Sequence, residues 1–124
     1  MTQEQKDLLL KDLCARLPYG VKVKFEYVII SPAKIIGINK FFIECEDISA
    51  DIEDIKPYLF PLSSMTEEQK KEFDISMDMG YAAAYNAEIN CANRMIDFFH
   101  KHHIDYRGLI PMGLANDATG LNIY

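Results

Sequence analysis

The chain opens on a helical period: Leu9, Leu10, Leu13 and Leu17 recur at intervals of one to four residues, the spacing of an apolar stripe on an α-helix. Thr2 stands ahead of them with Gln5 three residues on. That pair can cap reciprocally, the hydroxyl accepting from the Gln5 amide while the Gln5 side chain reaches back. Pro18-Tyr19-Gly20 stops the helix. The period then becomes two. Val21, Val23, Phe25 and Tyr27 alternate with Lys22, Lys24 and Glu26, which predicts a strand with one buried and one wet face, extended by Val28-Ile29-Ile30. Ser31-Pro32 breaks the run. Lys34 to Ile38 and Phe41 to Glu46 read as second and third strands around an Asn39-Lys40 turn, with Phe41, Ile43 and Cys45 on one side. A fourth short strand is expected around residues 51–53. Lys56-Pro57-Tyr58 follows, where proline lacks the ladder donor and should limit further pairing.

Phe60 to Ser64 reads as a connector, and Met65-Thr66-Glu67-Glu68-Gln69 opens a second helix with the same Thr-x-x-Gln box as the N-terminus. From about Tyr81 to His102 a third helix places Tyr85, Ile89, Ala92, Ile96 and Phe99 on one face. Asn86, Asn90, Arg94, Asp97 and Lys101 fall opposite. That apolar stripe is expected to lie over the sheet as the main stabilising element. Ile104 to Ala115 should pack back, with a turn before Pro111, and Asn116 to Tyr124 should form a turn and an extended tail. Two acid-to-base pairs four apart, Asp7 with Lys11 and Asp12 with Arg16, are expected on the exposed side of the first helix, at about 0.2–0.5 kcal/mol each. The expected fold is a single α+β domain over 1–124. Residues 1–60 form a helix and a three- or four-stranded antiparallel sheet, SH3-like in outline, and 61–124 form helices packed on it and a tail.

Composition fits one domain able to bury a core: 124 residues, 49% hydrophobic and 26% charged. The net charge of −6 argues against a nucleic-acid coat or an anionic-membrane binder, which need a basic face. The charge is uneven, however. Residues 1–43 hold seven basic and four acidic side chains, while 44–79 hold three and eleven, so a local basic patch survives the acidic total. Three widely spaced cysteines, Cys14, Cys45 and Cys91, and a polar N-terminus point to a reducing cytoplasm. The longest apolar run, Tyr81 to Tyr85, is far too short to span a bilayer.

Candidate chemistry is thin. Asp97, His100 and His103 are spaced three apart, but the sequence lacks the His-Glu-x-x-His pattern and the cysteine pairs of zinc sites. Histidines ending a helix, charged to suit its negative pole, are the simpler reading. The acidic run Glu44, Glu46, Asp47, Asp51, Glu53, Asp54 lacks the central glycine of a calcium loop and reads as solvated sheet-edge charge. Cys91 has no base nearby and reads as a buried, inert thiol. No Gly-rich phosphate loop, nucleophile elbow or Cys-x-x-Cys occurs. No cofactor and no metal is expected.

Four blocks, Leu13-Cys-Ala-Arg-Leu-Pro-Tyr-Gly-Val-Lys-Val23, Ile52-Glu-Asp-Ile-Lys-Pro-Tyr-Leu59, Ser63-Ser-Met-Thr-Glu-Glu68 and His102-His-Ile-Asp-Tyr-Arg-Gly-Leu109, carry a resemblance. Together, in this order, the chain resembles a family of small proteins of Bacteroides-type gut bacterial genomes, commonly encoded near prophage or other mobile elements. Phe60, where a basic residue often follows the Pro-Tyr-Leu block, and the tail after Ala115 depart from that pattern. The resemblance implies a genetic setting and a common fold, and no chemistry.

The leading functional expectation is a non-enzymatic, protein-binding module of a mobile element, cytoplasmic and soluble. It would use an exposed surface of Tyr58, His103, Asp105, Tyr106 and Arg107, because Tyr and Arg most often anchor interfaces. Each also has a structural reading: Asp105 capping a turn, Tyr106 half-buried, Arg107 holding a carboxylate or carbonyl. A second expectation is nucleic-acid association through Lys22, Lys24, Lys34 and Lys40 beside Phe25 and Tyr27, which requires those lysines to share one surface. A third is an enzyme whose site lies at residues 102–107, which requires a cleft walled by those side chains.

Overall fold

In the computed structural model, which describes residues 1–27, 32–39, 42–46, 48–82 and 85–124, α1 spans Gln3–Arg16 and starts on the full reciprocal cap between Thr2 and Gln5. A 3-10 turn over Leu17–Tyr19 follows, closed by Gly20 at φ +72°, a left-handed value that glycine adopts without strain. The strands are β1 (Lys22–Phe25), β2 (Ala33–Ile38), β3 (Ile43–Cys45), β4 (Ser49–Ala50), β5 (Ile55–Pro61), β6 (Ile104–Asp105) and β7 (Asn116–Asp117). Two long helices, α2 (Glu67–Ala82) and α3 (Ala87–Lys101), lie between β5 and β6. Thr66 and Gln69 exchange hydrogen bonds at the start of α2, the second capping box.

Among the described residues the strands form one sheet in the order β4-β3-β2-β1-β5-β6, with β7 also on β5. The first five strands pair antiparallel, while β6 and β7 pair parallel to β5. The expected meander is therefore present, with its fourth strand at Ser49–Ala50. Residues 52–54 are instead a 3-10 turn whose entry Asp51 caps by accepting from Glu53 N–H. Residues 28–31, Lys40, Phe41 and Asp47, on which parts of the expected strands and turn fall, lie outside the described residues.

The segment expected to limit further pairing is an interior strand. β5 binds β1 and, further along the same edge, β6, and it binds β7 on its other edge, despite Pro57 and Pro61. Lys24 pairs with Lys56, and Glu26 N–H donates to the Asp54 carbonyl, so the even-numbered residues of β5 face β1. Pro57 therefore turns its nitrogen to the other side, where β7 pairs from Tyr58 onward. No ladder bond is asked of it.

One face of the sheet is apolar. Val21, Val23, Phe25, Ile35, Ile43, Ile55 and Leu59 meet Leu9 and Leu13 of α1 and Leu109, Leu114 and Ala115 of the C-terminal segment. Burying Leu9 and Leu13, both fully enclosed, contributes about 1.5–3 kcal/mol each before entropy is counted. The sheet is thus covered by α1 and the returning C-terminal segment, as expected for the latter, and not by α3. Helix α3 packs chiefly on α2, with smaller contacts to β6 and α1. The expected stripe is wrong by a rotation. Tyr85, Ile89, Ala92 and Ile96 are exposed, and the buried side chains are Cys91, Phe98, Phe99 and His100. Phe98 and Phe99 join Phe73, Met65, Met95, Ile104 and Tyr106 in a second, aromatic cluster. Among the described residues no helix is long and apolar enough to cross a membrane.

Candidate functional site

The segment after α3 is built from the end of that helix. His102 and His103 donate backbone N–H groups to Phe98 and His100 carbonyls, and His103 then takes φ +57°. This is the left-handed position that commonly ends a helix and that favours glycine or asparagine. The turn sends the chain into β6, where Phe60 N–H donates to the His103 carbonyl at 2.8 Å. Asp105 comes next, and its two carboxylate oxygens accept from Leu109 and Ile110 N–H groups, both at 2.9 Å. It is the cap of the following turn.

Arg107 reaches back across the fold to α1. Its Nε lies 3.1 Å from Asp12 Oδ1, while Arg16 Nε lies 2.8 Å from Asp12 Oδ2 and Arg16 Nη2 donates to the Ile104 carbonyl at 2.6 Å. Asp12 and Arg16 are 0% exposed. This overturns the expectation of an exposed pair: one carboxylate joins two guanidinium groups inside the protein and ties α1 to β6 and the segment beyond it. The other expected pair does not form as drawn either, since Asp7 accepts from Gln3 Nε2 at 2.9 Å. Tyr106, half-buried, lies against both guanidinium groups at 5.5 and 4.9 Å from its ring centre, and its hydroxyl is 2.8 Å from His100 Nε2.

His103 is buried, and its ring stacks on Tyr124 with centroids 3.6 Å apart and planes 12° from parallel. Burial, with the Arg16 charge second, pushes its imidazole down to about 4, so it is neutral at pH 7. Burial likewise lowers the His100 imidazole. The reading of these histidines as positive charges at a helix end is corrected by that enclosure. The Tyr124 hydroxyl accepts from Lys22 N–H at 2.9 Å and donates to the Tyr58 carbonyl at 2.7 Å. It thereby bridges β1 and β5, where the register sets Lys22 across from Tyr58. Burial raises this phenol to about 12, so the proton it donates stays on oxygen.

Of the nominated residues, His103, Asp105, Tyr106 and Arg107 come together, but as a largely internal polar clamp. His103 and Asp105 are buried and form no part of an exposed surface. Tyr58 sits apart, half-buried on the outer side of β5. The clefts walled by Tyr19, Glu72, Ser76, Arg94 and Asp97, by Gln5, Tyr27, Glu53 and Met112, by Lys24, Glu26, Lys56 and Asn116, and by Phe25, Ile48 and Asp51 include none of residues 102–107. Among the described residues no group of three or more His, Cys, Asp or Glu side chains is placed to hold a metal ion. Cys91 is buried with Sγ 3.6 Å from the Met77 carbonyl, and burial raises the Cys45 thiol to about 11.

Two exposed surfaces stand out among the described residues. The first is the α2/α3 hairpin away from its base. Neither hydrophobic cluster includes a residue between Phe73 and Met95. There the two helices meet at Gly80 and Cys91, while Ile75, Met79, Tyr81, Tyr85 and Ile89 are each more than half exposed. The second is the outer face of β2, β1 and β5, which carries Lys34, Lys22, Lys24 and Lys56. Three of the four lysines singled out in the sequence share this face; Lys40 lies outside the described residues. Phe25, expected beside them, points into the core. Helical amphipathicity alone could have found the hairpin surface, had the stripe been allowed to face water. No family model, no curated protein and no solved structure matches this chain.

Proposed function

We propose that the protein is a non-enzymatic interaction module, in the mobile-element setting that its four sequence blocks imply, and that it binds a protein partner through the α2/α3 hairpin. One observation carries this reading: five large apolar side chains, Ile75, Met79, Tyr81, Tyr85 and Ile89, are exposed on a segment that contributes nothing to either hydrophobic cluster. Covering an Ile or Met side chain contributes about 1.5–3 kcal/mol, and Ile75 with Met79, four apart on α2, present such side chains on one helical face. The partner surface is accordingly apolar. The polar clamp at residues 102–107 supports the reading indirectly, because it fixes the base of the hairpin to α1 and β6.

The test is a triple substitution, Ile75→Glu, Met79→Glu and Ile89→Glu, at positions already in water. Cross-linking in the native host, followed by identification of the joined peptides, should place partner cross-links on α2 and α3 of the wild type. The triple variant should lose them while keeping its unfolding midpoint. An unchanged set of cross-links in the folded triple variant would rule the hairpin out.

A further inference from the structure

The register of the sheet sets lysines directly against one another. Lys22 is the cross-strand partner of Lys34, and Lys24 is the partner of Lys56. Lys22 and Lys24 are two apart on β1, so the four stand on one face in two rows. The rows are roughly 6.5 Å apart, and the strands within a row roughly 5 Å apart. Like charges opposed in a sheet destabilise it. Two such pairs in adjacent rows are a local conflict that the packing of the opposite, apolar face does not require.

Acid neutralises part of it. Lys56 Nζ is 3.1 Å from Glu26 Oε1. Lys22 Nζ donates to the Ile123 carbonyl at 2.7 Å, which leaves its charge in place. Among the described residues the ammonium groups of Lys24 and Lys34 have no ion-pair partner. Glu46 accepts from the Lys34 backbone N–H at 3.1 Å and marks the border of the patch toward β3. Between β1, β5 and β7 a cleft of about 180 Å³ is walled by Lys24, Glu26, Lys56 and Asn116, and Asn116 Nδ2 is buried with no hydrogen-bond partner. Along β5 the same face continues from Lys56 to Tyr58 and Phe60, with the Tyr124 ring 6.0 Å from Phe60.

We infer that this outer face of β2, β1 and β5 binds single-stranded nucleic acid, independently of the hairpin reading. The two lysine rows track the phosphates and the adjoining rings offer surfaces on which bases stack. A polyanion laid across the rows relieves both opposed pairs. Stacking rings beside a basic row suit unpaired bases, because those in a duplex are already stacked.

The test is fluorescence anisotropy of a labelled oligothymidylate, longer than the ~4–16 nucleotides that one small binding fold covers, titrated with the full chain at several salt concentrations. Binding is expected at low salt, with log affinity falling against log salt at a slope of about −2 to −3, roughly 0.7 for each of three to four neutralised phosphates. Lys24→Glu with Lys34→Glu should weaken binding at least tenfold and flatten the slope by about half. Lys24→Arg with Lys34→Arg should retain both. Tyr58→Leu should weaken binding several-fold with the slope unchanged. The Ile75→Glu, Met79→Glu, Ile89→Glu chain should bind as the wild type does, which separates this site from the hairpin. Absence of binding at low salt, or a folded Lys24→Glu, Lys34→Glu chain that binds equally well, overturns the inference. So does equal affinity for duplex of the same length, or equal competition by polyglutamate.

Discussion

Asp12 joins the two guanidinium groups of the buried polar clamp, one from its own helix and one from the segment beyond β6, and is itself enclosed. A buried ion pair adds little net stability against an apolar substitute, but removing one partner strands a charge, at about 3–5 kcal/mol. Asp12→Ala should therefore lower the unfolding free energy, read by denaturant titration, by about that amount, whereas Asp7→Ala on the wet side of the same helix should change it by under ~1 kcal/mol. Similar losses for the two would show that the Asp12 pair is not enclosed. The i, i+4 spacing was legible in the sequence for both acids. Their burial was not, because spacing within a helix sets which residues meet and not which side of the helix meets the protein. Asp105 and Arg107 were better read: a cap and a carboxylate partner are the roles their side chains fill.

At the scale of elements, α1, its cap, the first three strands of the meander and the α2 cap follow from local pattern and appear where the sequence placed them, while the fourth strand falls at Ser49–Ala50, ahead of residues 51–53. β5 and α3 differ further. β5 was hidden because proline is read as a breaker, whereas its alternate residues need no donor toward β1, and its parallel partners lie far away at residues 104 and 116. Helix α3 was found as a helix, but its stripe was assigned to the sheet. Helix–helix contact selected a different face, centred on Cys91 and Phe98. Gly80 permits that contact: a Cβ there would lie 2.8 Å from Cys91 Sγ and 3.3 Å from the Cys91 backbone Cα. Alanine gains about 1 kcal/mol in helix propensity, yet overpacking costs about 1–3 kcal/mol. Gly80→Ala should thus be destabilising on balance, and adding Cys91→Ala should recover part of the loss. A thermal-melt double-mutant cycle measures the coupling, and purely additive effects would contradict the close approach.

For the whole molecule, acid sensitivity follows from enclosing uncharged imidazoles. The folded His103 titrates at about 4 against 6.5 in the unfolded chain. Above pH 6.5 both states are neutral and this group contributes no pH dependence. As pH falls from 6.5 to 4 the unfolded state takes up the proton first, so stability is lost by up to about 3 kcal/mol over that window and no further below it. His100, lowered in the same direction, adds to the loss. His103→Asn, which suits the left-handed backbone, should flatten the midpoint-against-pH curve between pH 6.5 and 4. A curve as steep as the wild type's would remove His103 as a source.

The sequence by itself determined the caps, the alternation that divides β1 into a core face and a lysine face, and the absence of recognisable catalytic motifs, since each rests on neighbours a few residues apart. Only the tertiary structure decided which stripe of α3 is covered, that Asp12 and Arg16 lie inside, and that four lysines oppose one another across strands. Those outcomes depend on pairing and packing between segments distant in the chain. Local periodicity fixes an element's faces but leaves open which of them another element will cover.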